Sequence, residues 1–162
     1  MSESGLNKEI KYGLIPAEVW KTEPAFDVFS KMVSGIYPAP PISEHFDFGL
    51  SEVTRGKVTF SGAARTEFYN PMGMIHGGFI STMLDSAMAC AVQSTLEAGK
   101  GSTSVELKVS FVRPVFEKTG ILKAVGEVIN VGRQIGFAEG KLIDENGRLY
   151  AHGTTTCYIF DL

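Results

Sequence analysis

The feature that most constrains this chain is "GGFISTMLDSAMACAVQSTL", residues 77–96. It holds one carboxylate, Asp85, and no lysine, arginine or histidine. Its apolar residues fall on nearly every side of a helix, which predicts a helix over residues 77–98, ended by Gly99 and Gly101. A helix that is apolar all round must be surrounded by other elements. A membrane span needs about 20 mostly apolar residues. Ser81, Thr82, Asp85, Ser86, Gln93, Ser94 and Thr95 interrupt this stretch, so it reads as a buried helix in a cytoplasmic protein with no membrane contact.

The flanking patterns say what surrounds it. From Phe46 the period changes to two, and "HFDFGLSEV" and "GKVTFSGAA" read as strands joined near Thr54-Arg55-Gly56. After the helix, "STSVELKVSFVRP" alternates, with Val105, Leu107, Val109 and Phe111 on one face and Ser104, Glu106, Lys108 and Ser110 on the other. "GILKAVGEVINVG", "RQIGFAEGKLID" and "RLYAHGTTTCYIF" give three more strands, and "DENG" turns the chain between the last two. An apolar helix among antiparallel strands predicts an α+β architecture with the sheet wrapped around the helix.

Residues 1–45 form a lead segment ahead of a body at 46–162. "PAFDVFSKMVSG" places Ala25, Phe26, Phe29, Met32 and Val33 on one helical face, with Pro24 in the first turn and Gly35 as the stop. "YPAPP", residues 37–41, reads as an extended connector. The N-terminal "MSESGLNKEIKYG" lacks an apolar signal core.

Composition narrows the function classes. A chain of 162 residues is most simply one body with a sizeable core. A net charge of −3 gives no electrostatic case for nucleic acid. Cys90 and Cys157 show no metal spacing or pairing pattern, which fits a reducing compartment. His45, His76 and His152 are scattered, so no metal site is expected.

Asp85 admits two readings. It is a structural carboxylate paired with an arginine or a backbone donor, or it is a perturbed carboxylate that does chemistry. Gly77 and Gly78 open its helix, where the first N–H groups lack internal partners and a ligand can approach the backbone closely. Such a terminus favours developing negative charge, as an oxyanion hole does, but a glycine pair also makes a tight turn. Asn70 and His76 are polar groups of the same loop.

"NPMGMIHGGFISTMLDSAMA" resembles the signature of PaaI-like hotdog-fold acyl-CoA thioesterases, with Asn70, Gly73, His76, Gly77, Gly78 and Asp85 at matching places. The resemblance continues through "SVELKVSFVRPV", "VGR" and "DENGRLYAHGTTT", and so covers residues 46–160. It implies a hotdog fold and hydrolysis of an acyl- or aryl-CoA thioester to free acid and coenzyme A. It also implies that water is the second substrate and that no cofactor is needed. By the same resemblance Gly77 N–H, with the Asn70 side chain, polarises the thioester carbonyl. Asp85 acts as general base or as nucleophile, Ser104 helps hold the water, and His76 orients the loop. Phe111, Asn130, Gly132 and Arg133 stand where relatives contact coenzyme A; a solvated Arg133 at a strand end is the plainer alternative.

The spacing adds one expectation. Gly77 and Asp85 are eight residues apart, which is about 12 Å along a helix at about 1.5 Å per residue. That is too far for both to act on one carbonyl within a chain, so the site is expected to be shared between two chains of a homodimer or a dimer of dimers. Two other activities fit the same fold. A non-catalytic acyl-CoA sensor that reads DNA would want a basic segment, but residues 1–45 hold four lysines and no arginine against six acidic residues. A hotdog dehydratase would carry a different motif around its histidine and acid.

Overall fold

The computed structural model describes residues 10–162, so the first nine residues of the lead segment lie outside the described residues. The chain runs α1 (Ala17–Thr22), α2 (Ala25–Val33), α3 (Pro41–Phe46), β1 (Phe48–Thr54), β2 (Lys57–Ala63), α4 (Gly77–Gln93), β3 (Lys100–Phe111), β4 (Ile121–Val131), β5 (Ile135–Asp144) and β6 (Leu149–Asp161). The six strands form one antiparallel sheet in the order β1-β2-β4-β5-β6-β3. α4 packs against β2 through β6, so the sheet curls around the helix as expected.

The helix comes unusually close to the sheet. Gly126 pairs with Gly140, and Gly140 pairs with Gly153, so glycines line up across β4, β5 and β6. A Cβ added at Gly126 would lie 2.3 Å from the Ala87 carbonyl oxygen of α4. A missing side chain on the strand is thus what admits the helix backbone. Phe79, Ile80, Met83, Leu84, Ala87, Met88, Ala91 and Val92 fill the remaining space between helix and sheet.

Four expectations about α4 and the strands need correction. First, α4 is not enclosed on every side. Ser81, Thr82, Asp85, Ser86, Ala89, Cys90 and Gln93 form a half-buried stripe at helical spacing, so the polar interruptions within the helix share one open face, while Ser94 is buried just past its end. Second, α4 ends at Gln93 rather than near 98. The Ser94 hydroxyl donates to Ala91 O at 2.7 Å and accepts from Gly56 N at 2.8 Å, which ties the helix end to the β1–β2 turn. Gly99, at φ +80°, turns the chain into β3, and Gly101 lies within that strand.

Third, His45 and Phe46, expected to open the first strand, and Pro41, expected in the extended connector, belong to the helix α3. Prolines at 40 and 41 set the backbone angle for its first turn, Asp47 is left-handed (φ 45°), and β1 begins at Phe48. Fourth, β3 does not alternate cleanly. A bulge between Ser104 and Glu106 shifts its pairing with β6 and leaves Val105 59% exposed, with Leu107 and Phe111 also outside.

The lead helices sit over the body. α2 buries Ala25, Val28 and Phe29 and packs on β1; Val28 takes the place expected for Val33, which is exposed. Ala25 N–H donates to Leu96 O at 3.3 Å, and Gly99 N–H donates to Trp20 O at 2.9 Å. Trp20 meets Phe29 edge-on at 5.9 Å. No helix among the described residues is long and apolar enough to cross a membrane.

Candidate active site

The loop before α4 is wound around Asn70. Its backbone N–H donates to Met74 O at 2.7 Å, and its side-chain Oδ1 accepts from Met72 N (2.9 Å) and Met74 N (3.3 Å). Gly73, at φ +78°, closes the turn. Two N–H donors facing Oδ1 fix the amide orientation and leave the Nδ2 group to donate outward. The Asn70-x-x-Gly73 spacing therefore builds the turn itself.

His76 is the N-cap of α4, and its Nδ1 accepts from Gly78 N at 2.8 Å. This places the ring proton on Nε2. With Gly78 N–H spent on the cap, Gly77 N–H is left without an intramolecular partner among the described residues. Asn70, Gly77, Ile80 and Phe111 line a cleft of about 430 Å³. The Phe111 ring lies over Gly77, where an added Cβ would meet its Cζ at 2.9 Å.

Asp85 lies on the open stripe, about 12 Å further along α4. The Ser104 hydroxyl, from the bulged part of β3, donates to Asp85 Oδ1 at 2.7 Å. No hydrogen bond among the described residues uses Asp85 Oδ2. Ser104 thus bonds the carboxylate directly. Burial, and then the nearby Asp85 charge, push the Cys90 thiol up to about 12, and burial also raises the Cys157 thiol. Neither is a thiolate at neutral pH.

The residues expected to meet coenzyme A do not come together in one chain. Phe111 stands in the cleft at the N-terminal end of α4. Asn130, Gly132 and Arg133 are exposed at the β4–β5 hairpin tip, where Gly132 N–H donates to Ile135 O at 2.8 Å. That tip is tied to β6 by Ile159 N–H donating to Gln134 O, and Ile159 pairs with Ser102, near the C-terminal end of α4.

One residue of this region escaped the sequence reading. Arg113 lines the same cleft as Asn70 and Gly77, and its Nη1 donates to Leu149 O at 2.6 Å. With Lys118 and Arg148 it also borders an adjoining depression of about 400 Å³. The available signal was a cation two residues after Phe111, at the strand's end. No group of three or more histidine, cysteine or acidic residues that could hold a metal ion comes together among the described residues.

A curled antiparallel sheet around one long helix, with a carboxylate on the helix's open face, defines a hotdog-fold protein. The Thioesterase superfamily profile matches residues 72–151. A Caenorhabditis elegans protein that carries an esterase name is 31% identical over 130 residues, which cover 79% of this chain and 68% of that one. Human acyl-coenzyme A thioesterase 13 is 27% identical over 111 residues, 68% of this chain and 78% of its own. Among solved structures, a phenylacetic acid degradation-related protein from Ralstonia eutropha superposes with a TM-score of 0.72 at 31% identity, covering 80% of this chain and 98% of that one. The Escherichia coli PaaI protein shares the fold, with a TM-score of 0.67 at 19% identity over 74% of this chain and 83% of its own. The chain belongs to the thioesterase superfamily, as a PaaI-like hotdog thioesterase.

Proposed function

We propose that this thioesterase hydrolyses acyl-coenzyme A, releasing the free acid and coenzyme A with no metal or redox cofactor. The observation that carries the reading is the Asp85 carboxylate on the open face of α4, with Oδ1 held by Ser104 at 2.7 Å. Held this way, Oδ2 is aimed by a fixed partner and free to act. Human acyl-coenzyme A thioesterase 13, among the relatives, supports coenzyme A as the leaving group.

In this mechanism Asp85 Oδ2 takes a proton from water while the water oxygen bonds to the thioester carbon. The carbonyl electron pair moves onto oxygen, where Gly77 N–H and Asn70 Nδ2 stabilise it. The intermediate collapses, the carbon–sulfur bond breaks, and the departing coenzyme A sulfur takes the proton held on Asp85 Oδ2, which restores the carboxylate. Gly77 and Asn70 come from one chain and Asp85 and Ser104 from the other, because roughly 12 Å separates Gly77 from Asp85 along one helix. The same two-fold pairing brings the β4–β5 hairpin of one chain towards the Phe111 cleft of the other. A homodimer or dimer of dimers is the working unit.

The test is free-thiol release from a panel of aliphatic and aromatic acyl-CoAs, with acyl-N-acetylcysteamine thioesters alongside. Hydrolysis of acyl-CoA with a much higher kcat/KM than the truncated thioester is expected. Equal rates on both would remove coenzyme A from the reading, and no thiol release from any would remove thioester hydrolysis.

A further inference from the structure

Beyond Asp85 the open stripe of α4 continues through Ala89, Cys90 and Gln93, and there it is roofed. Leu14, Trp20 and Met32 of the lead segment line, together with those three residues, a cavity of about 530 Å³ that opens to solvent at Leu14, itself 83% exposed. The roof belongs to the same chain and hangs from the α4–β3 connection through the Leu96 and Gly99 backbone bonds. No charged side chain among the described residues lines the cavity. Its amide and hydroxyl are engaged: Ser102 Oγ donates to Gln93 Oε1 at 2.7 Å, and Gln93 Nε2 donates to Lys100 O at 3.1 Å. Apart from that amide and hydroxyl, the side chains lining the cavity among the described residues offer a polar substituent little, and burying it unpaired would cost free energy. The walls therefore favour plain hydrocarbon.

Position and length narrow the occupant. Along α4, Ala89 lies about 6 Å and Gln93 about 12 Å beyond Asp85. An extended chain advances about 1.2 Å per bond, as three backbone bonds span about 3.6 Å. A tail bound at Asp85 reaches Ala89 after about five bonds and Gln93 after about ten. A benzoyl ring ends near the mouth and leaves the far half of the cavity empty.

We infer that the lead segment and the far half of α4 form an acyl-tail pocket serving the Asp85 of the same chain, and that it takes an unbranched saturated tail of about six to ten carbons. The inference rests on the acyl-CoA reading, and its test separates the two. On wild-type protein, kcat/KM is expected to rise about fourfold per added methylene from butyryl- to decanoyl-CoA and then level. Ala89→Leu puts a branched side chain at the mouth. It is expected to lower the decanoyl-to-butyryl ratio of kcat/KM by about tenfold or more, the equivalent of about two methylenes.

Trp20, the chain's single tryptophan, gives a readout that needs no turnover. Decanoyl-CoA should shift its emission saturably, while coenzyme A alone should not. A flat chain-length profile, a preference for benzoyl-CoA, or decanoyl-CoA turnover without a Trp20 response overturns the pocket assignment. A saturable Trp20 response in wild type that is weakened in Ala89→Leu, without thiol release from any substrate, overturns hydrolysis and keeps the pocket. Neither response nor release overturns both. If Trp20 instead responds only to protein concentration, the cavity is a contact between copies of this chain and the inference falls.

Discussion

At Asp85 the two carboxylate oxygens have different surroundings, and that difference sets the first expected outcome. Oδ1 is engaged by Ser104, and Oδ2 makes no hydrogen bond among the described residues. Asp85→Asn keeps the shape and still accepts the Ser104 bond, but it cannot take a proton. Its kcat should fall by roughly 10²–10⁴-fold in a folded protein, by thiol-release assay. Ser104→Ala leaves the base but frees its orientation, and should lower kcat by roughly 10- to 100-fold, the range of one hydrogen bond to a charged group. The reverse order of severity would mean that Ser104 does more than hold the carboxylate. A second carboxylate belongs to stability. The backbone N–H of Arg148, then the Tyr150 hydroxyl and the Asn146 N–H, hold the Asp144 carboxyl below its usual range. Its folded value is depressed, so its contribution is complete above the ordinary range of about 4 and is lost as pH falls through the lower folded value. Melting temperature below about pH 4 should therefore fall less steeply in Asp144→Asn than in wild type.

Among the elements, α4 and its seat on the sheet decide where Asp85 stands. Gly126→Ala would drive a methyl group against the Ala87 carbonyl, which is backbone and cannot rotate away. Overpacking of this kind costs roughly 1–3 kcal/mol or more. Ala87 is two residues from Asp85, so the shift should also loosen the Ser104 contact. Gly126→Ala is expected to lower both the melting temperature and the kcat of the protein that remains folded; an unchanged pair would show that the seat is not tight. The sequence makes this architecture readable because the residues on either side of α4 switch to period two, the β3 bulge apart, and α4 has no competing breaker until Gly99. The open stripe is harder to read. Ala89 and Cys90 are small and apolar, and hydropathy does not tell a cavity floor from a core. α1 is six residues long, too short to show a period, and the prolines of residues 37–41 read as extended although Pro41 starts a helix. Asn70, Gly77 and Asp85 are readable as a motif; that Asn70 Oδ1 is consumed by its own loop follows only from the backbone's path.

For the whole molecule, the decisive quantity is the number of chains per site. β3 is an edge strand that pairs with β6 on one side, with Val105, Leu107 and Phe111 exposed along it. Gly77→Pro removes the N–H at the start of α4 that has no partner among the described residues, and Asp85→Asn removes the base. Each variant alone should be nearly inactive. Mixed under subunit exchange, they should regain activity, since one site in each mixed dimer pairs an intact Gly77 with an intact Asp85. Confirmed exchange of folded variants without recovered activity would show that each chain works alone. The roof over the far half of α4 has a consequence of a different kind. It is joined to the body by the Ala25–Leu96 and Trp20–Gly99 backbone bonds and by a short apolar face, while α4 is clasped by five strands. Amide protons of residues 17–33 should therefore exchange with deuterium through openings that leave α4 protected, and bound decanoate should slow them. Departure of the acid product would then be timed by the lifting of that segment, independently of the step at Asp85.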